Sequence, residues 1–265
     1  MVAPFRRHPR TQAGLRVDRY VYMKITCNII VDNPISVSPY SDMTNKPVLL
    51  ESTLALLRNR SLASAAQEEI ERLILSGELP AGARIGEAEM ALRLGISRGP
   101  IREAFRGLEE VGLVRFEKNR GVFVREIDIA EADQNFEVRG ALEALAVRIL
   151  AKKISDGEIR ELRSLVKSMD KAVARDEAAE YAALNLELHR RIFEMAGNTK
   201  LMEMYGRITK ELMLFRRRSL APHPTLDEHR EIVEKIAAHD AEGASRAMLN
   251  HVEGSRHRIL AAYAP

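Results

Sequence analysis

From residue 62 to the end of the chain, apolar positions recur at helical spacing in block after block, interrupted once by strand-like alternation. In the first block Ala66, Ile70, Leu73 and Ile74 share one stripe. This spacing predicts a helix that begins near Leu62 and stops at Ser76-Gly77, because Leu79-Pro80-Ala81-Gly82 cannot continue it. A short second helix is expected from Glu87 to Leu94, with Met90, Leu92 and Leu94 as its apolar contacts and Gly95 as its end. A third is expected from Ser97 to Val111, with Ser97 placed to cap it, Pro100 in its first turn, and Ile101, Phe105 and Leu108 on its packing face. Leu113-Val114-Arg115-Phe116-Glu117 then alternates, Lys118-Asn119-Arg120-Gly121 reads as a turn, and Val122-Phe123-Val124-Arg125 returns as the second arm of a hairpin.

Helical periodicity resumes after this hairpin and persists, predicting helices over residues 129–152, 155–174, 177–196, 199–219, 225–239 and 241–262. Ser155-x-x-Glu158 is a capping box, Asp240 can cap the last helix, and Gly197-Asn198 and the segment from Pro222 to Pro224 are breaks. The expected fold is mainly α, an N-terminal winged helix-turn-helix over residues 61–126 followed by an all-α six-helix bundle over residues 127–265.

Composition narrows the function classes. A chain of 265 residues with 46% hydrophobic and 30% charged positions is long enough for two cores. No apolar run approaches the roughly eighteen residues of a membrane span, so no membrane partner is expected. Cys27 is the only cysteine, which excludes a disulfide scaffold and a cysteine zinc site and suits a reducing cytoplasm. The first 19 residues set Arg6, Arg7, Arg10, Arg16 and Arg19 against Asp18, with neither the apolar stretch of a secretory signal nor the serine-rich amphipathic character of a transit peptide. Residues 1–60 are therefore expected to be a flexible extension and linker, with turn-rich character over 33–47, and Met23 or Met43 is a candidate alternative start. The net charge of +3 is too small to define a polyanion partner, so local placement must.

That placement is informative in the third helix. Arg98, Arg102 and Arg106 recur every four residues on another face than the apolar stripe, offering guanidinium forks that match guanine edges and phosphate oxygens on a helix of major-groove width. Lys118 and Arg120 stand at the hairpin tip, within reach of backbone phosphate or the minor groove. The candidate DNA-binding residues are Ser97, Arg98, Pro100, Arg102, Arg106, Arg120 and Gly121.

In the helical half, three imidazoles lie on apolar stripes. Asn185 and His189 share a face beside Leu184, Leu188, Ile192 and Met195; His229 lies with Leu226, Ile232, Val233 and Ile236; His251 lies with Ala244, Ala247 and Met248. One such histidine is ordinarily a core residue satisfied by a neighbour. Three on three helices facing one interior suit a divalent metal with open positions for a ligand or water.

Two resemblances follow from separated motifs. Gly77-Glu78-Leu79-Pro80-Ala81-Gly82, Gly95-Ile96-Ser97-Arg98-Gly99-Pro100-Ile101-Arg102-Glu103-Ala104, Leu108-Glu109, Gly112-Leu113 and Asn119-Arg120-Gly121-Val122-Phe123-Val124 resemble the winged helix-turn-helix of the GntR family of bacterial transcription regulators. The resemblance implies that Arg98 and Arg102 contact operator bases or phosphates and that Gly121 lets the wing approach the minor groove. Some relatives carry an arginine near the start of the second helix where this chain has Ala88. Phe136-Glu137-Val138-Arg139-x-x-Leu142-Glu143, Asn185-x-x-x-His189 before Ala196-Gly197-Asn198, and His229-Arg230-Glu231-Ile232 with His251 resemble the FCD ligand domain of the FadR-type branch. That resemblance implies that His189, His229 and His251 bind zinc or nickel and that a small organic acid completes the shell. Many relatives have aspartate where Asn185 stands, so a neutral carbonyl here makes the site less negative. Arg139 is the candidate effector-binding residue.

The expected function is a ligand-responsive, homodimeric repressor of a short palindromic double-stranded DNA operator, not an enzyme. The competing expectation is a metal-dependent hydrolase or lyase that uses the three histidines to activate water. Against it, no acid or base stands at a recognisable spacing from them, and the arginine helix and wing would be unexplained.

Overall fold

The computed structural model describes residues 47–216 and 225–263. Helix α1 spans Pro47–Ser76, so it begins 62 − 47 = 15 residues before the expected start and takes in the end of the expected linker. The reason is local. Proline is well suited to a first helical position, and the segment after Pro47 is rich in leucine, alanine and arginine, all good helix formers. The expectations for residues 1–46 and for the break at Pro222 to Pro224 lie outside the described residues.

After α1 come β1 (Arg84–Ile85), α2 (Glu87–Leu94), α3 (Arg98–Glu110), β2 (Val114–Glu117) and β3 (Gly121–Val124). The strands form one antiparallel sheet in the order β1-β3-β2, with Arg84 opposite Phe123 and Arg115 opposite Phe123 on the other side. β1 was not expected, because a two-residue strand has too few positions to show alternation. Ser97 occupies the cap position of α3 with extended backbone, but its side chain accepts no capping bond, contrary to expectation. Leu92 is also a correction. It is 86% exposed, while Met90 is buried, since two residues along a helix is more than half a turn.

The core of this unit brings together Ile70, Leu73 and Ile74 of α1, Ile101, Phe105 and Leu108 of α3, and Val114, Val122 and Val124 of the sheet. One further member, Leu214, arrives from the helical half of the chain.

That half comprises α4 (Ile129–Ala151), α5 (Asp156–Ala174), α6 (Ala178–Ala196), α7 (Thr199–Arg216), α8 (Leu226–Ala237) and α9 (Ala241–Ala261). Ser155 and Glu158 form the reciprocal capping box, and Asp240 accepts from the Gly243 amide. α4 packs against α6, α7, α8 and α9, so its inward face is the middle of the bundle. Among its buried residues are Asn135, Arg139 and Glu143, three polar groups in a place that demands partners.

α7 joins the two cores. Its Lys210 Nζ lies 3.0 Å from a Glu71 carboxylate oxygen of α1, both side chains being buried. Its buried Glu211 lies 3.4 Å from Arg125 and accepts from Asn135 Nδ2 at 3.2 Å. Gly112 sits against this carboxylate with φ +75°, and an added Cβ would fall 2.3 Å from Glu211 Oε1, so any side chain there would both strain the backbone and displace the glutamate. Because Leu214 fills the winged-helix core from outside it, Leu214→Ala is expected to destabilise that unit by about 2–5 kcal/mol. Differential scanning calorimetry checks this, and an unchanged first transition contradicts it.

Candidate nucleic-acid interface and metal centre

α3 separates its two faces cleanly. Ile101, Phe105 and Leu108 are fully buried, whereas Arg98, Arg102 and Arg106 are exposed. Arg102 points its fork at Glu87 of α2, with Nε 3.1 Å and Nη2 2.9 Å from the two carboxylate oxygens. The Arg102 hydrogen bonds hold the Glu87 carboxyl below its usual range despite some desolvation. Arg106 pairs with Glu103 of its own helix at 3.2 Å. Ser97 is exposed beside Arg98, but Pro100 is buried, a correction to its place among the DNA contacts. It lies on the packing side of the first turn and serves the helix start.

At the wing tip, Lys118 and Arg120 are exposed and Arg120 pairs with Glu117. Gly121 has φ +103°, a left-handed conformation that keeps the tip narrow.

The second site lies inside the bundle. His189 of α6, His229 of α8 and His251 of α9 are all buried, and one nitrogen from each lies within 4.8 Å of the others. Their ring centroids are 4.5 Å apart for His229 and His251, 5.3 Å for His189 and His251, and 5.6 Å for His189 and His229. Each Nδ1 has an outward neighbour. Thr225 Oγ1 is 3.4 Å from that of His229, Glu228 Oε2 is 2.7 Å from that of His251, and Glu143 Oε2 is 2.9 Å from that of His189, the last poorly aligned with the ring N–H. The Nε2 atoms of His189 and His229 are buried without a hydrogen-bond partner. At His229 an outer partner on Nδ1 and an unsatisfied, buried Nε2 are the pattern of an imidazole oriented toward a cation.

At His229 and His251 burial favours the neutral imidazole. Burial pushes His229 well below its ordinary value, with His251 and His189 adding to the effect. Burial also lowers His251, partly offset by Glu228. Burial alone would raise the Glu143 carboxyl, but the Arg139 guanidinium and His189 together outweigh it and hold it well below the carboxylate range. Arg139 Nε donates to Glu143 Oε1 at 2.5 Å, and both side chains are buried. Neutral imidazole is the form that donates a lone pair to a metal.

Asn185 stands one turn before His189 on the same helix and is half-buried. Sequence reasoning passed over Glu143, Glu228 and Thr225. Glu143 lies four residues after Arg139, and Glu228 directly precedes His229, but exposed acids at such spacings are common, and only the bundle turns these inward.

The chain matches the family described as bacterial regulatory proteins, gntR family, over residues 62–124, and the FCD domain over residues 134–254. It is 30% identical over 206 residues to the "Probable D-xylose utilization operon transcriptional repressor" of Paenarthrobacter nicotinovorans, covering 77% of this chain and 91% of that one. It is 24% identical over 176 residues to the HTH-type transcriptional repressor RspR of Escherichia coli (strain K12), covering 65% of this chain and 77% of that one. Among solved structures, E. coli McbR/YncC aligns with a TM-score of 0.64 at 19% identity, over 77% of this chain and 99% of that one. A GntR regulator from Rhodococcus sp. RHA1 aligns with a TM-score of 0.62 at 23% identity, over 77% of this chain and 100% of that one. Both likenesses are likenesses of fold.

Proposed function

We propose a specific mode of action for this chain, which belongs to the gntR family of bacterial regulatory proteins, carries an FCD domain and is a transcriptional regulator. Its relatives are DNA-binding regulators and not enzymes, which sets aside the hydrolase or lyase reading. In our reading it is a cytoplasmic homodimeric repressor that holds a divalent metal, zinc or nickel, on His189, His229 and His251 and responds to a small organic acid.

The observation that carries this reading is the pair of buried, unpartnered Nε2 atoms within a cluster of three imidazoles. When bound, the metal supplies Lewis acidity for a carboxylate. The chain's own residues orient the donors: Glu143, Thr225 and Glu228 stand behind His189, His229 and His251 respectively. Arg139 is engaged by Glu143, so we assign it the holding of that carboxylate, with effector recognition falling to the open metal positions. Asn185 is the candidate fourth donor, through its carbonyl oxygen.

Val138 and Leu145 of α4 and Leu249 of α9 are exposed apolar residues on two helices that pack together, which supports a self-complementary dimer face. Such a dimer would set two α3 helices in successive major grooves of a palindrome.

Elemental analysis of untagged protein purified without chelator is expected to find about one zinc or nickel per chain. A His229→Ala, His251→Ala double variant should lose it, and thermal shifts by small organic acids should vanish with it. Metal-free protein that keeps full effector affinity contradicts the metal reading.

A further inference from the structure

The outward face of the three-stranded sheet carries a second cationic feature. Val122 and Val124 of β3 are buried, so by alternation Gly121 and Phe123 face the other way. The cross-strand partners of Phe123 are Arg84 on β1 and Arg115 on β2, which therefore flank it on that same face. Arg120 folds back from the tip with its Cζ 5.3 Å from the Phe123 ring centroid, and Arg115 Cζ lies 5.7 Å from it. The Arg84 guanidinium passes Gly121, its Nε 3.3 Å from where a Cβ would stand. Two guanidiniums thus lie against one half-buried ring, and that of Arg84 lies beside Gly121 on the same face. Glu117 is their carboxylate here, pairing with Arg115 at 3.1 Å and with Arg120.

We propose that this face, with Arg84 and Arg115 added to Arg120 around Phe123, is a DNA-backbone site that binds the phosphates next to the groove approached by the wing tip. The occupant follows from charge and position. The cluster presents three cations against one carboxylate, it is continuous with the tip through Arg120 and Gly121, and cations neutralise phosphate oxygens. Phe123 acts by holding the guanidinium planes. Glu117 holds two forks in the free protein, and a phosphate takes its place on DNA. Contacts of this kind position the protein without reading sequence.

The inference rests on the operator-binding reading, and the test separates the two. The probes are a duplex selected by wild-type protein from a randomised pool and an unrelated duplex of equal length, with affinity measured across a salt series. Arg84→Ala and Arg115→Ala are each expected to weaken binding to both duplexes about tenfold and to reduce the log-affinity slope against log salt by about 1. Arg84→Lys should keep most of the affinity, because phosphate accepts a point charge. Glu117→Gln should strengthen binding, a gain that misfolding cannot imitate.

Unchanged affinity and salt slope in the two alanine variants, with Arg102→Ala still weakening binding roughly a hundredfold, would overturn the sheet-face site and leave the operator reading intact. Losses confined to the selected duplex would also overturn it, since they would indicate base reading. If wild-type protein selects no duplex, the operator reading itself fails and this site with it.

Discussion

Arg102→Ala is expected to weaken operator binding by about 3 kcal/mol, roughly a hundredfold, the upper range for one bidentate base contact. Fluorescence anisotropy on a selected duplex measures it. In the free protein Arg102 spends both Nε and Nη2 on the two oxygens of Glu87, so its fork is already oriented outward from α3 by a carboxylate from α2. DNA must replace that partner. Glu87→Gln should therefore bind more tightly than wild type, and Arg102→Lys should recover little if the target is a guanine edge but much if it is phosphate. The fold should be unaffected, because an exposed ion pair contributes little to stability. Unchanged affinity in Arg102→Ala would remove α3 as the reading helix.

Glu143→Ala is expected to cost about 3–5 kcal/mol of stability, the range found when one partner of a buried ion pair is removed. Its carboxylate is fully buried between Arg139 and His189. The deletion leaves a guanidinium in the middle of the bundle. It also releases the outer support of His189, so metal affinity should fall about 10–100-fold in the same protein. A joint replacement, Arg139→Met with Glu143→Leu, should recover most of the stability without restoring metal affinity, because an apolar pair of similar volume avoids the desolvation cost. Urea denaturation and metal titration measure the two effects separately. A Glu143→Ala protein as stable as wild type would show that Arg139 finds another partner.

Much of the architecture was legible because helices advertise themselves locally. The six helices after the wing all begin within about one residue of their expected starts, the expected end of α7 lying outside the described residues, since their caps are coded by neighbours such as Ser155 with Glu158 and Asp240 with the Gly243 amide. The long α1 shows where this legibility ends. Turn-forming residues up to Asn45 suggested a linker, yet Pro47 starts a helix that the later apolar stripe alone did not reveal. Leu92 shows a related limit, for an apolar residue reads as core until its angle around the helix is counted against Met90.

The chain by itself determined which positions are helical, which faces are apolar, and that arginines line one side of α3 while histidines occupy the inward side of α6, α8 and α9. Those properties depend on residue types a few places apart, through caps, propensity and periodicity. Tertiary structure alone decided which groups meet. It brought Glu143, Glu228 and Thr225 behind the three imidazoles, seated Leu214 in a core whose other buried members are 214 − 124 = 90 or more residues away in sequence, and set Arg84 and Arg115 on either side of Phe123. Such meetings depend on how helices and strands pack against one another, and nothing in the spacing of a single element carries that information.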